Sequence, residues 1–382
     1  MSVPHQMFEP IRYDFAELED VRRRVDKRDE TFVSAMDALV IAAERAVNDG
    51  PFSVMAKQAV PPSGDKHDYM SLGTYWWPDP AQPDGVPYIR RDGERNPEID
   101  RFDRQAMETM SSTVETLALA AYFTGDEHFA ERAAHLLRIW FLNEDTCMHP
   151  HLRYGQGIPG ICDGRGIGII DTHLLFAVMD AISLLKRTTA WTAADQRGMI
   201  NWFDAYLTWL LTSDLGKSES GEQNNHGTWY DTQVAGFAFF IGKNDIARDV
   251  LTSCTSTRFA TQILPDGSQP HELQRTLSFN YSVFNLTAMV NLAVMGARLG
   301  PDLWHFHTTD GRCLQRAFDW LLPFLYGRRP WTYQQIHAIN WKSLLPLYRH
   351  AAVAYGVEDY RQAAQYLGKM LPCDDRMVLL YP

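Results

Sequence analysis

Apolar residues recur at three- and four-residue spacings along almost the whole chain, while two-residue alternation is nearly absent. That periodicity predicts helices rather than strands. Tight turns of one recurring form punctuate it, a Gly or polar residue followed four positions later by a large apolar one. The clearest are Gly125-Asp126-Glu127-His128-Phe129, Gly242 to Ile246, Gly300 to Trp304 and Gly356 to Tyr360, with a degenerate copy from Arg187 to Trp191. Successive turns lie 62, 55, 58 and 56 residues apart, so one helix hairpin recurs with a period near sixty. Gly at such a point caps a helix in the left-handed region, and acidic residues after it suit the next helix start. A lone hairpin cannot bury its apolar face and must stack on its neighbours. The pattern therefore predicts an all-α fold, an α/α toroid (an incomplete barrel) of about six or seven helix hairpins, as a single domain over residues 1–382.

If the short turns share one end of that toroid, the remaining connections share the other. They are Pro51–Asp103, Asn143–Gly168, Ser213–Asn225, Leu264–Ser278 and Gly327–Asn340. Connections of more than about a dozen residues in a compact domain are functional or disordered. These are rich in Trp, Tyr, His, Asn and Arg, which argues against disorder. A cleft is expected on that face.

The first long connection holds Lys66-His67-Asp68-Tyr69 and then Tyr75-Trp76-Trp77-Pro78-Asp79-Pro80. Indole and phenol planes stack on sugar faces, although most Trp side chains simply plug a core. His67-Asp68 is half of a metal-hydrolase pattern, and no second His-Asp pair follows at a fitting spacing. The second connection, His149-Pro150-His151 through Gln156 to Arg165, is glycine-rich without the Lys-Ser/Thr of a phosphate loop. Two histidines two apart point opposite ways on extended backbone, so no metal pair is expected there. Gln156 and Arg165 are candidate substrate contacts.

The densest chemistry is Glu222-Gln223-Asn224-Asn225-His226-Gly227-Thr228-Trp229-Tyr230-Asp231. It precedes an apolar helix expected from about Gln233 to Ile241. Donors and an imidazole at a helix start can hold an anion; an Asn cap beside a satisfied His is the alternative. Further on, Arg275 and Tyr281 lie six apart across a loop-to-helix junction. A cation near a phenol favours phenolate, as a tyrosine base requires. Alternatively, Arg275 pairs with Glu272 on the surface. The aromatic and polar segment Trp331–Lys342 shows no clear chemistry.

Composition narrows the class. The 382 residues are 45% hydrophobic and 22% charged, with net charge −11, as for a globular protein with a large core. Without a basic tract this argues against nucleic acid as a partner, and a polyanion would need a local Arg, Lys and His cluster. Five scattered cysteines form no CxxC, so neither a disulfide framework nor a zinc knot is implied. No run of eighteen apolar residues suggests a membrane span. Met1-Ser2-Val3-Pro4-His5 shows no signal-peptide n- or h-region, which makes the cytoplasm the default expectation, and secretion or the periplasm the alternative for a trimmed chain.

Together, Asn225-His226, Arg275 and Tyr281 resemble the alginate-lyase-like superfamily of polysaccharide lyases. The matching segments are Lys66–Pro80, Pro150–Gly160, Asn224–Asp231 and Asp266–Tyr281, nearer its alginate/glucuronan branch. The resemblance implies an α/α toroid that cleaves 1,4-linked uronic-acid glycans by metal-independent β-elimination, giving unsaturated uronates. Asn225 and Arg275 would neutralise the uronate carboxylate. Tyr281 would be base for a syn proton and acid for the leaving oxygen. His226 would take an anti proton or hold Tyr281 deprotonated. Expected substrate contacts are Tyr69, Tyr75, Trp76, Gln156, Arg165, Trp229 and His271, with no cofactor, no metal and an acidic poly- or oligosaccharide as partner. A glycoside hydrolase using two of Asp231, Asp266 and Glu272, and a non-catalytic glycan binder, are the alternatives.

Overall fold

The structure, a computed structural model, describes residues 8–382; the Met1–His5 stretch read for targeting lies outside them. Helices dominate, and the described residues hold four short strands. The predicted turn glycines Gly125, Gly242, Gly300 and Gly356 all take positive φ, at 73°, 81°, 119° and 64°. Three of them join helices directly: Asp103–Thr124 to Glu127–Leu137, Asn225–Phe240 to Asn244–Cys254, and Leu345–Tyr355 to Glu358–Gly368. The Gly300 turn differs, since the next helix begins only at Leu314. Pro301 follows at once, and Leu303 and Trp304 turn into the core instead of starting a helix.

Contacts divide the chain into two compact units. The first comprises residues 8–10, Leu39–Ser220 and Phe240–Gly242. Its central helix, Asp103–Thr124, buries Met107, Met110, Val114 and Leu117 and packs on Glu127–Leu137 and Leu175–Leu185. Helix Ala193–Thr212 opens with a reciprocal cap between Thr192 and Asp195. Arg138 forks onto the Asp195 carboxylate, with Nε and Nη2 each at 2.7 Å. The long connections carry the strands: Met70–Leu72 runs parallel to Tyr154–Gly157, and Trp76–Trp77 antiparallel to Ile89–Arg90. A buried ion pair, Lys57 Nζ to Asp103 Oδ2 at 3.0 Å, anchors the first strand, because the same oxygen accepts from Met70 N at 2.8 Å. Burial pushes the Asp103 carboxyl up to about 6.

The second unit comprises Ile11–Ala38, Gly221–Phe239 and Lys243–Pro382. Its early and late segments meet: Arg349, on helix Leu345–Tyr355, donates to Glu17 on helix Phe15–Asp26 at 3.0 Å, and Tyr381 Oη to the Arg12 carbonyl at 2.7 Å. Phe318, Tyr348, Tyr355 and Tyr360 form one aromatic cluster. Tyr348 and Tyr360 place their hydroxyls on Phe318 O and the Asp319 carboxylate, as buried phenols require. Ser278–Leu299 is long and apolar enough to cross a membrane, but 72% of that stretch is buried, so it is a core helix.

Candidate active site

In the second unit, helix Asn225–Phe240 begins eight residues earlier than the apolar pattern suggests. Asn224 is its cap, with Oδ1 accepting from His226 N at 2.9 Å. Asn225 and His226 therefore stand in the first helical turn. The donor there is already engaged: Asn225 N reaches Glu272 Oε1, and Asn225 Nδ2 reaches Glu272 Oε2, both at 2.7 Å. A carboxylate at a helix N-terminus is favoured by the helix dipole. Glu272 sits on the short helix Pro270–Leu273 and is buried. Burial pushes its carboxyl up, while the Asn225 hydrogen bonds and the nearby charges of Arg275 and His226 pull it part of the way back. Those two side chains thus lie within electrostatic reach of the same carboxylate.

Arg275 lies over the Tyr281 ring, its guanidinium carbon 3.7 Å from the centroid. A cation on that face offsets the charge of a phenolate. Both are half-buried, as is His226, whereas Asn225 is fully buried. Buried amides fix the frame. Gln262 Oε1 accepts from Thr228 Oγ1 at 2.8 Å and Asn285 Nδ2 at 3.0 Å, and Asn285 Nδ2 also reaches Gln269 Oε1 at 2.9 Å. Arg258 joins the Asp231 carboxylate (Nε to Oδ2, 2.8 Å) to the Glu222 carbonyl (Nη1, 2.8 Å). Gly227 fits between them because a Cβ there would overlap Glu222 O and lie 2.5 Å from Arg258 Nη1.

In the first unit the hub is Asp171, wholly buried. It accepts from Tyr69 Oη at 3.0 Å, Ser71 Oγ at 2.6 Å and Gln156 Nε2 at 2.9 Å, with Arg104 Nη1 at 3.4 Å. The Asp171 charge holds the Arg104 guanidinium above its ordinary range; burial drives the Tyr69 phenol well up. Gln156 takes a left-handed backbone, φ 48°, which a non-glycine residue holds only when its surroundings over-determine it. They do: Ser71 Oγ accepts its N–H at 2.7 Å, and Arg165 reaches its carbonyl and Oε1 at 3.1 Å each. Arg165 also lies over the Trp76 ring at 5.8 Å. Gly73 leaves room for this, since a Cβ there would lie 2.6 Å from Trp76 and 3.3 Å from Arg165.

The alginate lyase family matches residues 53–331. A crystal structure of an alginate lyase from Bacteroides ovatus aligns with a TM-score of 0.93 at 38% identity, covering 98% of this chain and 99% of that one. The chain belongs to the alginate lyase family. It is a polysaccharide lyase, and its fold class is the α/α toroid. Alginate lyase A1-III from Sphingomonas species A1 shares that fold at 14% identity and a TM-score of 0.60, over 100% of this chain and 99% of its own. Two variants of that protein, one with a histidine changed to alanine and one with a tyrosine changed to phenylalanine, were solved complexed with a tetrasaccharide. No curated protein matches the chain.

Within this lyase, the second unit holds Asn225, His226, Arg275 and Tyr281 about Glu272. Trp229 instead packs in the core, 4.9 Å from the Phe284 ring, and His271 is exposed on the short helix beside Glu272. In the first unit, Tyr69 and Gln156 are buried and spend their polar atoms on Asp171 and Arg165, so they brace the neighbouring Trp76 and Arg165. Tyr75, Trp76 and Arg165 keep part of their surface. The surface pair expected as an alternative for Glu272 is not what forms, because Glu272 turns inward to Asn225. The Trp331–Lys342 segment also has a part the sequence did not suggest. Gln334 O accepts Ser278 N at 3.1 Å, Gln335 Oε1 accepts Phe279 N at 3.0 Å, and Trp331 Nε1 donates to Ser278 Oγ at 2.9 Å. It straps the junction between Arg275 and Tyr281.

Proposed function

We propose that this lyase cleaves 1,4-linked uronic-acid glycans, alginate or glucuronan, by β-elimination, with side chains alone moving the proton. The carrying observation is the Arg275 guanidinium over the Tyr281 ring, on a junction whose Glu272 grips Asn225. The C5 proton of a uronate is hard to remove because the adjacent carboxylate is already negative, so neutralising that charge is the main task. Half-buried Arg275 meets the carboxylate first. Asn225 adds the Nδ2 hydrogen that Glu272 does not take, as the turn adjusts around a bound sugar; catalytic contacts commonly tighten only in the complex.

Tyr281 as phenolate takes the C5 proton. The C5–H pair becomes the C4–C5 double bond, the C4–O bond breaks, and the new phenol returns its proton to the departing oxygen. His226, at the same helix start, serves a proton on the opposite face or keeps Tyr281 ionised. No step calls for a metal ion. The tetrasaccharide held by the A1-III variants supports an oligosaccharide as ligand.

The hydrolase alternative needs two uncommitted carboxylates. Asp231 is held by Arg258, Glu272 by Asn225, and Asp266 by Ser268 N and Oγ at 2.9 and 2.7 Å. The test is a panel of polymannuronate, polyguluronate and glucuronan, followed by short-ultraviolet absorbance. Elimination creates a conjugated uronate and hydrolysis does not; new reducing ends without that absorbance would overturn the reading.

A further inference from the structure

Within the first unit, outside the groups assigned above, three potential metal ligands converge. Asp68 Oδ1 lies 2.8 Å from His149 Nδ1 and 3.0 Å from His151 Nε2, and all three ligand atoms fall within 4.8 Å of one another. Extended backbone would have separated the two imidazoles. Instead His151 N donates to His149 O at 2.8 Å, a three-residue turn centred on Pro150, whose fixed φ suits it. The turn swings both rings to one side.

We propose that Asp68, His149 and His151 form a divalent transition-metal site of the zinc class. Tetrahedral zinc with bonds of about 2.0–2.1 Å to nitrogen and oxygen has ligand-to-ligand edges of about 3.3 Å. The two observed nitrogen–oxygen separations need only a few tenths of an ångström of expansion to reach that edge. Two neutral nitrogens and one carboxylate oxygen are a donor set suited to zinc, cobalt or nickel rather than to calcium or magnesium.

The outer partners fit as well. Ser63 Oγ donates to Asp68 Oδ2 at 2.7 Å, orienting the carboxylate. His67 packs against His149 with ring centroids 5.2 Å apart, and its own Nδ1 is used by Cys147 O at 2.7 Å. Asp65 Oδ2 stands 4.0 Å from His149 Nδ1, close enough to become a fourth ligand or to orient a water. The His149 side chain keeps 43% of its surface, which leaves a path in from solvent. Such an ion would clamp the Ser63–Asp68 turn onto the Met148–Leu152 segment. That makes it a structural ion, separate from the proton transfer assigned to Tyr281.

The experiment titrates chelator-stripped protein with zinc chloride alone by calorimetry, repeats it with cobalt(II) for its visible absorption, and records thermal melts. One equivalent should bind to the wild type and raise its melting temperature. His149→Ala, His151→Ala and Asp68→Asn should each weaken binding at least tenfold and abolish the thermal shift. Circular dichroism confirms folding; should a variant fail it, the half-exposed His149→Gln carries the comparison. Binding below a tenth of an equivalent, or binding that the folded variants leave unchanged, overturns the site and shows a hydrogen-bonded cluster only.

Discussion

Glu272 holds Asn225 at two points, one carboxylate oxygen on the backbone N–H and the other on Nδ2, each at 2.7 Å. Both ends of that clamp are buried, and it sets the azimuth of the helix turn that carries His226. Charge-assisted hydrogen bonds of this kind are the stronger ones.

Glu272→Gln keeps the volume but turns one acceptor into a donor facing an N–H. Turnover on the best uronate should fall about ten- to a hundredfold, the scale set by small misplacements of catalytic groups. KM should change much less, and circular dichroism should stay native. Glu272→Asp should recover part of the loss. Wild-type kcat in a folded Glu272→Gln variant would make the clamp purely structural.

Tyr281→Phe removes one hydroxyl and little volume. If that hydroxyl moves the proton, turnover should fall by at least the roughly 10²–10⁴-fold typical of general acid–base catalysis. Substrate binding should hold, since Arg275 and Asn225 remain. His226→Ala should also depress turnover, by a factor that differs between mannuronate- and guluronate-rich substrates. A folded Tyr281→Phe variant keeping more than about a tenth of wild-type turnover would remove Tyr281 from the mechanism.

Prolonged chelation, assayed well below the melting transition, should leave turnover within about threefold of untreated enzyme, because general acid–base catalysis by side chains uses no ion. The melting temperature should drop if the Asp68 site is emptied. Complete loss of turnover, restored by one divalent ion, would place the metal in the chemistry.

Stability should respond to acid through Asp195. The Arg138 hydrogen bonds, aided by Thr192, hold its carboxyl down at about 2, against about 3.9 when unfolded. A depressed carboxyl stabilises the fold above the unfolded value and loses that contribution as pH falls from about 4 through 2. Asp195→Asn should therefore cost on the order of 1 kcal/mol at neutral pH, after discounting for solvent around Arg138. The urea-midpoint gap between variant and wild type should narrow below pH 4; a gap that is constant down to pH 2.5 would rule the pair out as its source.

The helical class and the positions of Gly125, Gly242 and Gly356 were legible because periodicity and left-handed caps are local properties. Asn225-His226 and Arg275 with Tyr281 were visible as chemistry-bearing types near predicted junctions. Glu272 was not, because a carboxylate three residues before an arginine reads as a surface pair until burial is known. Gln262, Asn285 and Arg258 gave no signal, since amides and a guanidinium inside helical patterns look solvent-facing. Tyr69, Gln156 and Trp229 show the reverse difficulty: residue type suggested sugar contact, while packing made them supports. The His149–His151 convergence depended on one turn at Pro150, which spacing alone could not distinguish from extended chain.

The strap from Trp331 to Gln335 also bears on the order in which the protein is made. Arg275 and Tyr281 leave the ribosome more than fifty residues before Gln334 and Gln335, whose carbonyl and amide hold Ser278 and Phe279. During synthesis the junction therefore exists first without its fastening. The family-matched span ends at residue 331, so a fragment cut to that span would carry Asn225, His226, Arg275 and Tyr281 and still lack the glutamines that fasten the turn between the last two. The fastening is thus added late, by a segment that itself carries none of the proposed reacting groups.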